Sequence, residues 1–256
     1  MSPAELLILI LVFLFTSVIG VVTGSNSLIA VPVMFQVGMD EKVAVATNMF
    51  ALVFMAIGGA IPFIRQRSVD LKSLSPLIML TMAGSAIGAA IVGVISNHAI
   101  KLIVTAAMFA IVIFTLFHRK PSSENAAATP AETKRGAART IGFILTFILA
   151  IYGGLFSGGY VTVLTASFVA FFAMPYSGSI AATKVVNVFS SLVATLVFLY
   201  QGLVDIKLGL ILGAAMFVGA YIGAHFATKL NEAWLRRIFL SAVALLAIKS
   251  VFDLFR

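Results

Sequence analysis

Lys184 has the most chemistry to offer in this chain. It stands in Ile180-Ala-Ala-Thr-Lys-Val-Val-Asn-Val-Phe-Ser-Ser-Leu, near the start of a long apolar run. An ammonium at the centre of a bilayer costs roughly 2.5–3.5 kcal/mol on insertion scales. The plain alternative is a lysine that snorkels from a helix start to the interface. The functional reading is a cation that neutralises an anionic ligand, or a group coupled to a proton. Asn187 and Ser190 follow on nearby parts of the same helix side, with Thr183 immediately before. Asn48 occupies the matching segment of the first half, in Ala44-Val-Ala-Thr-Asn-Met, where a buried amide needs another helix or a ligand as partner.

Two interrupted segments add donors. Gly20-Val-Val-Thr-Gly-Ser-Asn-Ser27 supplies Thr23, Gly24, Ser25, Asn26 and Ser27. Gly154-Leu-Phe-Ser-Gly-Gly-Tyr160 supplies Ser157, Gly158, Gly159 and Tyr160. Each break precedes a short apolar run, 26–37 and 160–174. A helix that starts after such a break points free N–H groups and a positive dipole end at its surroundings, which suits an oxyanion. Doubled broken segments at matching places in two halves point to a transporter's binding site. Gly20-x-x-x-Gly24 and Gly154-x-x-x-Gly158 could instead be helix-packing faces, the better reading for Gly84/Gly88, Gly209/Gly213 and Gly219/Gly223.

The elements that must hold these residues lie in lipid. The 256-residue chain is 61% hydrophobic and only 10% charged, with mean hydropathy +1.14. That composition implies an all-α integral membrane protein. The net charge of +8 comes from basic residues in short loops beside apolar spans, so it fits the positive-inside pattern and not nucleic acid. Cysteine is absent, which removes disulfides and thiolate metal sites. The N-terminus has no basic leader, so the first span is expected to stay in the mature protein. The acidic residues fall at loops or span ends, without a carboxylate pair or a Ser/His/Asp set in the membrane. No enzyme, catalytic residue, metal or cofactor is therefore expected. Asp70 and Asp205 read as solvated loop charges or helix N-caps.

The two halves repeat each other. Val69-Asp-Leu-Lys72 matches Val204-Asp-Ile-Lys207, Gly84-Ser-Ala-Ile-Gly88 matches Gly219-Ala-Tyr-Ile-Gly223, and Ala46-Thr47 matches Ala182-Thr183. Three domains follow: a first membrane repeat over 1–118, a flexible cytoplasmic linker over 119–139, and a second repeat over 140–256. The linker is placed in the cytoplasm by Arg119, Lys120, Lys134, Arg135 and Arg139. If the short runs cross, the fold is a 5+5 inverted repeat with short broken helices. If they re-enter, it is a 4+4 parallel repeat. Both place equal numbers of basic residues in the cytoplasm. The cluster Lys229, Arg236 and Arg237 leans toward the inverted form.

The ordered motifs resemble one family. A break followed by Val31-Pro32, then Gly38, Ala44-Val-Ala-Thr47 and Arg67-x-x-Asp70 make up the first half. Gly154-x-x-x-Gly158-Gly159, Ala182-Thr-Lys-Val-Val-Asn187 and Gly202-x-Val-Asp-x-Lys207 make up the second. Together they are similar to the sulfite exporter TauE/SafE family, also called DUF81 or TSUP permeases. No single motif is specific; the ordered set is. The resemblance implies a prokaryotic inner-membrane carrier of sulfite, organosulfonates or related sulfur and carboxylate anions. It aligns the family's Thr-Lys segment on Thr183-Lys184 and its Gly-rich breaks on residues 20–27 and 154–160. The chain departs from the family's glycine run at Gly24-Ser25-Asn26-Ser27. The expected function is alternating-access secondary transport of a small anion. An anion channel and a membrane scaffold or assembly factor are the alternatives. Partners are the anion and the bilayer, with a coupling proton or cation and a homodimer left open.

Overall fold

Lipid offers the backbone no hydrogen-bond partners, so a chain this apolar must satisfy its peptide groups within helices. The structure, a computed structural model, describes residues 1–23, 26–65, 71–117, 132–226, 241, 243–249 and 251–252. Among these, nine helices run in order: α1 (Pro3–Thr23), α2 (Ser27–Gln36), α3 (Glu41–Arg65), α4 (Leu71–Val94), α5 (Asn97–Phe117), α6 (Glu132–Leu155), α7 (Tyr160–Phe172), α8 (Tyr176–Tyr200) and α9 (Ile206–Phe226). Residues 243–249 are helical again, with Val243 and Ala247 buried in the core. Seven of the nine are long and apolar enough to cross a membrane; α2 and α7 are not. At 1.5 Å per residue, the ten residues of α2 cover only about 15 Å. The chain is thus an all-helical, multi-pass membrane protein.

Helix ends follow local chemistry. Ser2 and Glu5 form a reciprocal cap on α1, with Glu5 Oε2 accepting from the Ser2 N–H at 2.7 Å. Asp40 Oδ1 accepts from the N–H groups of Lys42 and Val43 at the start of α3. Asp205 does the same for Leu208 at the start of α9, as its sequence position suggested. Its repeat partner Asp70, like Arg67, lies outside the described residues. So do 118–131; α6 begins at Glu132, so residues 132–139 of the segment read as linker are helical.

Glycine contacts reveal how the helices run. Gly209 and Gly213 of α9 lie against Phe50 and Phe54 of α3, and Gly58 lies against Phe217. Residue numbers rise together along this seam, so α3 and α9 are parallel. Gly219 and Gly223 likewise meet Leu14 and Val18, so α1 runs with α9. Gly84 and Gly88 meet Ala150 and Ile151, so α4 runs with α6. Gln201, just beyond α8, reaches the carbonyls of Ala89 and Ala90 at 3.4 Å, which joins the last turns of α8 and α4. Lys42 Nζ donates to the Gly93 carbonyl at 3.0 Å, so the start of α3 meets the end of α4. Hence α1, α3 and α9 point one way and α4, α6 and α8 the other.

These seams are closer than any side chain permits. A methyl group at Gly88 would overlap the Ile151 carbonyl, and one at Gly223 would overlap that of Val18. Lipid supplies no hydrophobic drive between helices, so such backbone-to-backbone packing carries the association. Gly88→Ala is expected to lower stability by about 1–3 kcal/mol through overpacking. Gly136→Ala, with open space around its site, should be neutral. Thermal unfolding of the detergent-solubilised protein compares the two directly.

Candidate functional site

The two breaks meet. Ser27, the first residue of α2, and Ser157, in the segment before α7, share a hydrogen bond of 2.7 Å between their hydroxyls across 130 residues of chain. Asn48 of α3 donates from Nδ2 to Ser27 Oγ at 2.9 Å. Asn26 donates from Nδ2 to Thr16 Oγ1 of α1 at 3.0 Å. All of these side chains are buried. In a low-dielectric setting such polar groups rely on one another as partners, and the side-chain oxygens of Asn26 and Asn48 have none among the described residues.

Beside this chain lies a cavity of about 30 Å³, room for roughly two waters. Its polar wall is Asn26, Ser27, Ser157, Lys184 and Asn187. The remaining wall is apolar or glycine and includes Gly20, Leu52, Met55 and Val161. Lys184 is 7% exposed and makes no hydrogen bond or ion pair among the described residues. The ion pair seen there, Lys101 with Glu41 at 2.7 Å, lies at the helix ends instead. Asn187 uses its Oδ1 to accept from Ser191 at 3.4 Å, which leaves its Nδ2 as a donor.

The local sequence explains the opening. α6 ends at Leu155, shortly before Ser157, Gly158 and Gly159, where small residues replace bulky ones. Gly159 adopts φ 80°, a left-handed conformation that glycine reaches at little cost, and caps the start of α7. Both short helices therefore begin at the cavity wall, where their free N–H groups favour negative charge.

Other candidates are placed elsewhere. Thr183 shares a hydrogen bond with Thr165 of α7 at 3.0 Å and bonds back to Ser179, so it ties α7 to α8 behind the cavity. The Tyr160 ring packs under Gly153, and the residue is 1% exposed. The Gly158 carbonyl accepts a hydrogen bond from the Tyr152 hydroxyl. Gly154 lies against the Ser85 backbone of α4 and Gly20 against Asn26 and Met55, so both breaks also serve packing. Gly24 and Ser25 lie outside the described residues, as does the Thr23 side chain. Thr16 was not visible as a site residue in the sequence, where it is one hydroxyl within an apolar span; nor were Leu52, Met55 and Val161, whose apolar character carries no signal. Among the described residues no group of three His, Asp or Glu side chains is placed to hold a metal.

Known proteins share this chain's whole length. A "Probable membrane transporter protein" of Haemophilus influenzae is 25% identical over 248 residues, covering 97% of this chain and 95% of its own. The "Probable membrane transporter protein ORF9" of Sinorhizobium sp is 25% identical, covering 95% and 93%. The "Probable membrane transporter protein YfcA" of Escherichia coli K12 is 23% identical, covering 98% and 91%. No solved structure matches. The sequence profile described as Sulfite exporter TauE/SafE matches residues 9–250, which takes in both breaks, the cavity and every helix that walls it: the chain belongs to the sulfite exporter TauE/SafE family.

Proposed function

We propose that this protein is a secondary transporter that carries a small anion across a prokaryotic inner membrane by alternating access. One observation carries the reading: the buried, unpaired Lys184 at a polar cavity where the two breaks meet. A lone desolvated ammonium is costly. A bound anion would offset that cost, with Asn187, the serine pair and the starts of α2 and α7 as further donors. The family name and the names of its relatives direct the choice toward sulfite, an organosulfonate or a related carboxylate. Export or ion coupling would supply the direction, and no catalytic step is needed.

The helix directions support a 5+5 inverted repeat. α1 and its repeat counterpart α6 point in opposite senses, as do α3 and α8. In a 4+4 arrangement a re-entrant α2 would leave α3 antiparallel to α1, whereas both run with α9. Rocking one repeat against the other would open the small cavity to either side in turn. A small cavity walled in part by Leu52 and Met55 suits one binding step better than a continuous pore.

Two measurements test this. Lys184→Ala in proteoliposomes should reduce anion flux to background while the protein still inserts and elutes as wild type; wild-type flux in that variant removes the charge role. A cysteine placed at Asp205 should react with an impermeant thiol reagent from the face opposite to one placed at Ser122 in the linker. Labelling of both from one face removes the inverted arrangement.

A further inference from the structure

One acceptor on a side chain of the cavity wall is left over, Asn26 Oδ1; the likewise unpartnered Asn48 Oδ1 belongs to a residue outside that wall. Thr16 Oγ1 lies 2.6 Å from the Val12 carbonyl and spends its single proton there. It can only accept from Asn26, so the Asn26 amide must present its Nδ2 to Thr16. That orientation leaves Asn26 Oδ1 buried without a partner among the described residues, on a residue 3% exposed. Buried carbonyl oxygens are normally paired. The other polar groups of the wall have the opposite character. Lys184 and the Asn187 Nδ2 donate. The Ser27–Ser157 pair holds two hydroxyl protons and spends one in its shared bond, so one remains. The wall thus offers several donors, one fixed acceptor and, among the described residues, one positive charge.

We propose that the site selects a singly charged oxyanion that also carries an O–H or N–H group, whose proton is received by Asn26 Oδ1. This rests on the anion-site reading above and specifies its ligand. Lys184 balances one negative charge, so a dianion would bring an uncompensated charge into the cavity. An anion with a methyl group in place of the donor would leave Asn26 Oδ1 unpaired, at a loss that sites built around a hydrogen bond show plainly. Thr16 acts as a positioning residue, since it alone fixes which end of the amide is free.

Sulfamate and methanesulfonate separate these terms, because they are both monoanions of nearly equal shape and differ in NH₂ against CH₃. Calorimetric titration of the whole chain in detergent at one neutral pH is expected to show sulfamate binding about tenfold tighter than methanesulfonate, with sulfate binding more weakly than either. In Asn26→Leu the ratio of the two monoanion constants should fall to within about twofold. Thr16→Val keeps the amide and the shape of the site but lets the amide turn, so it should also reduce the ratio; it stands in if Asn26→Leu fails to fold. Equal binding of the two monoanions to wild type, a ratio that survives these variants, or sulfate binding as tightly as sulfamate overturns the inference. If binding is nevertheless lost in Lys184→Ala, the anion site itself stands. Absence of binding by either monoanion to the folded wild type overturns both.

Discussion

The hydrogen bond between Ser27 and Ser157 joins two places where a helix has been broken inside an apolar chain. A break in lipid is tolerable only where freed polar groups find partners in protein or line a cavity. Here they do both. Asn48 and Thr16 take up part of the demand, and the cavity beside Lys184 takes the rest. Moving either break along its helix would leave its serine facing hydrocarbon, so the position of each half constrains the other.

The glycine seams make that meeting geometrically possible. α4 approaches α6 through Gly84, Gly88 and Gly154, and α9 approaches α1 through Gly219 and Gly223. In each seam the first helix of one half lies on the fourth helix of the other half. The halves are thereby interlocked, and the cavity at their junction is walled by α1, α2, α3, α8 and the segment leading into α7. Thr183 adds a side-chain bond from α8 to α7, which keeps the second short helix aligned with the lysine it adjoins.

The cavity is chemically lopsided. Ser157, Lys184 and Asn187 come from the second half of the chain, while Asn26 and Ser27 come from the first. Among the described residues, the cation of this cavity stands on the wall that α8 contributes. Asn26 and Ser27, where the sequence departs from the glycine run that the resemblance implies, bond to Thr16 and to Ser157 respectively.

Much of this was legible in the residues. Composition alone dictates a membrane protein, because so few charges cannot cover a soluble surface of this size. The short runs after each break became α2 and α7, since run length limits helix length, and the cost of Lys184 in lipid singled it out as a candidate before any contact was known. The contacts were another matter. Helices that are apolar on nearly every side give no periodic signal of which face meets which neighbour, so the turning of Thr183 toward Thr165 and the burial of Tyr160 beneath Gly153 could not be read from spacing. The Ser27–Ser157 bond and the proton count at Thr16 that orients Asn26 depend on groups distant in sequence or on rotamers. The sequence by itself determined a helical membrane chain with one lysine and two polar breaks set among apolar runs. Only the tertiary structure decided that they share one cavity, because hydrogen-bond partners are chosen by packing direction and not by order along the chain.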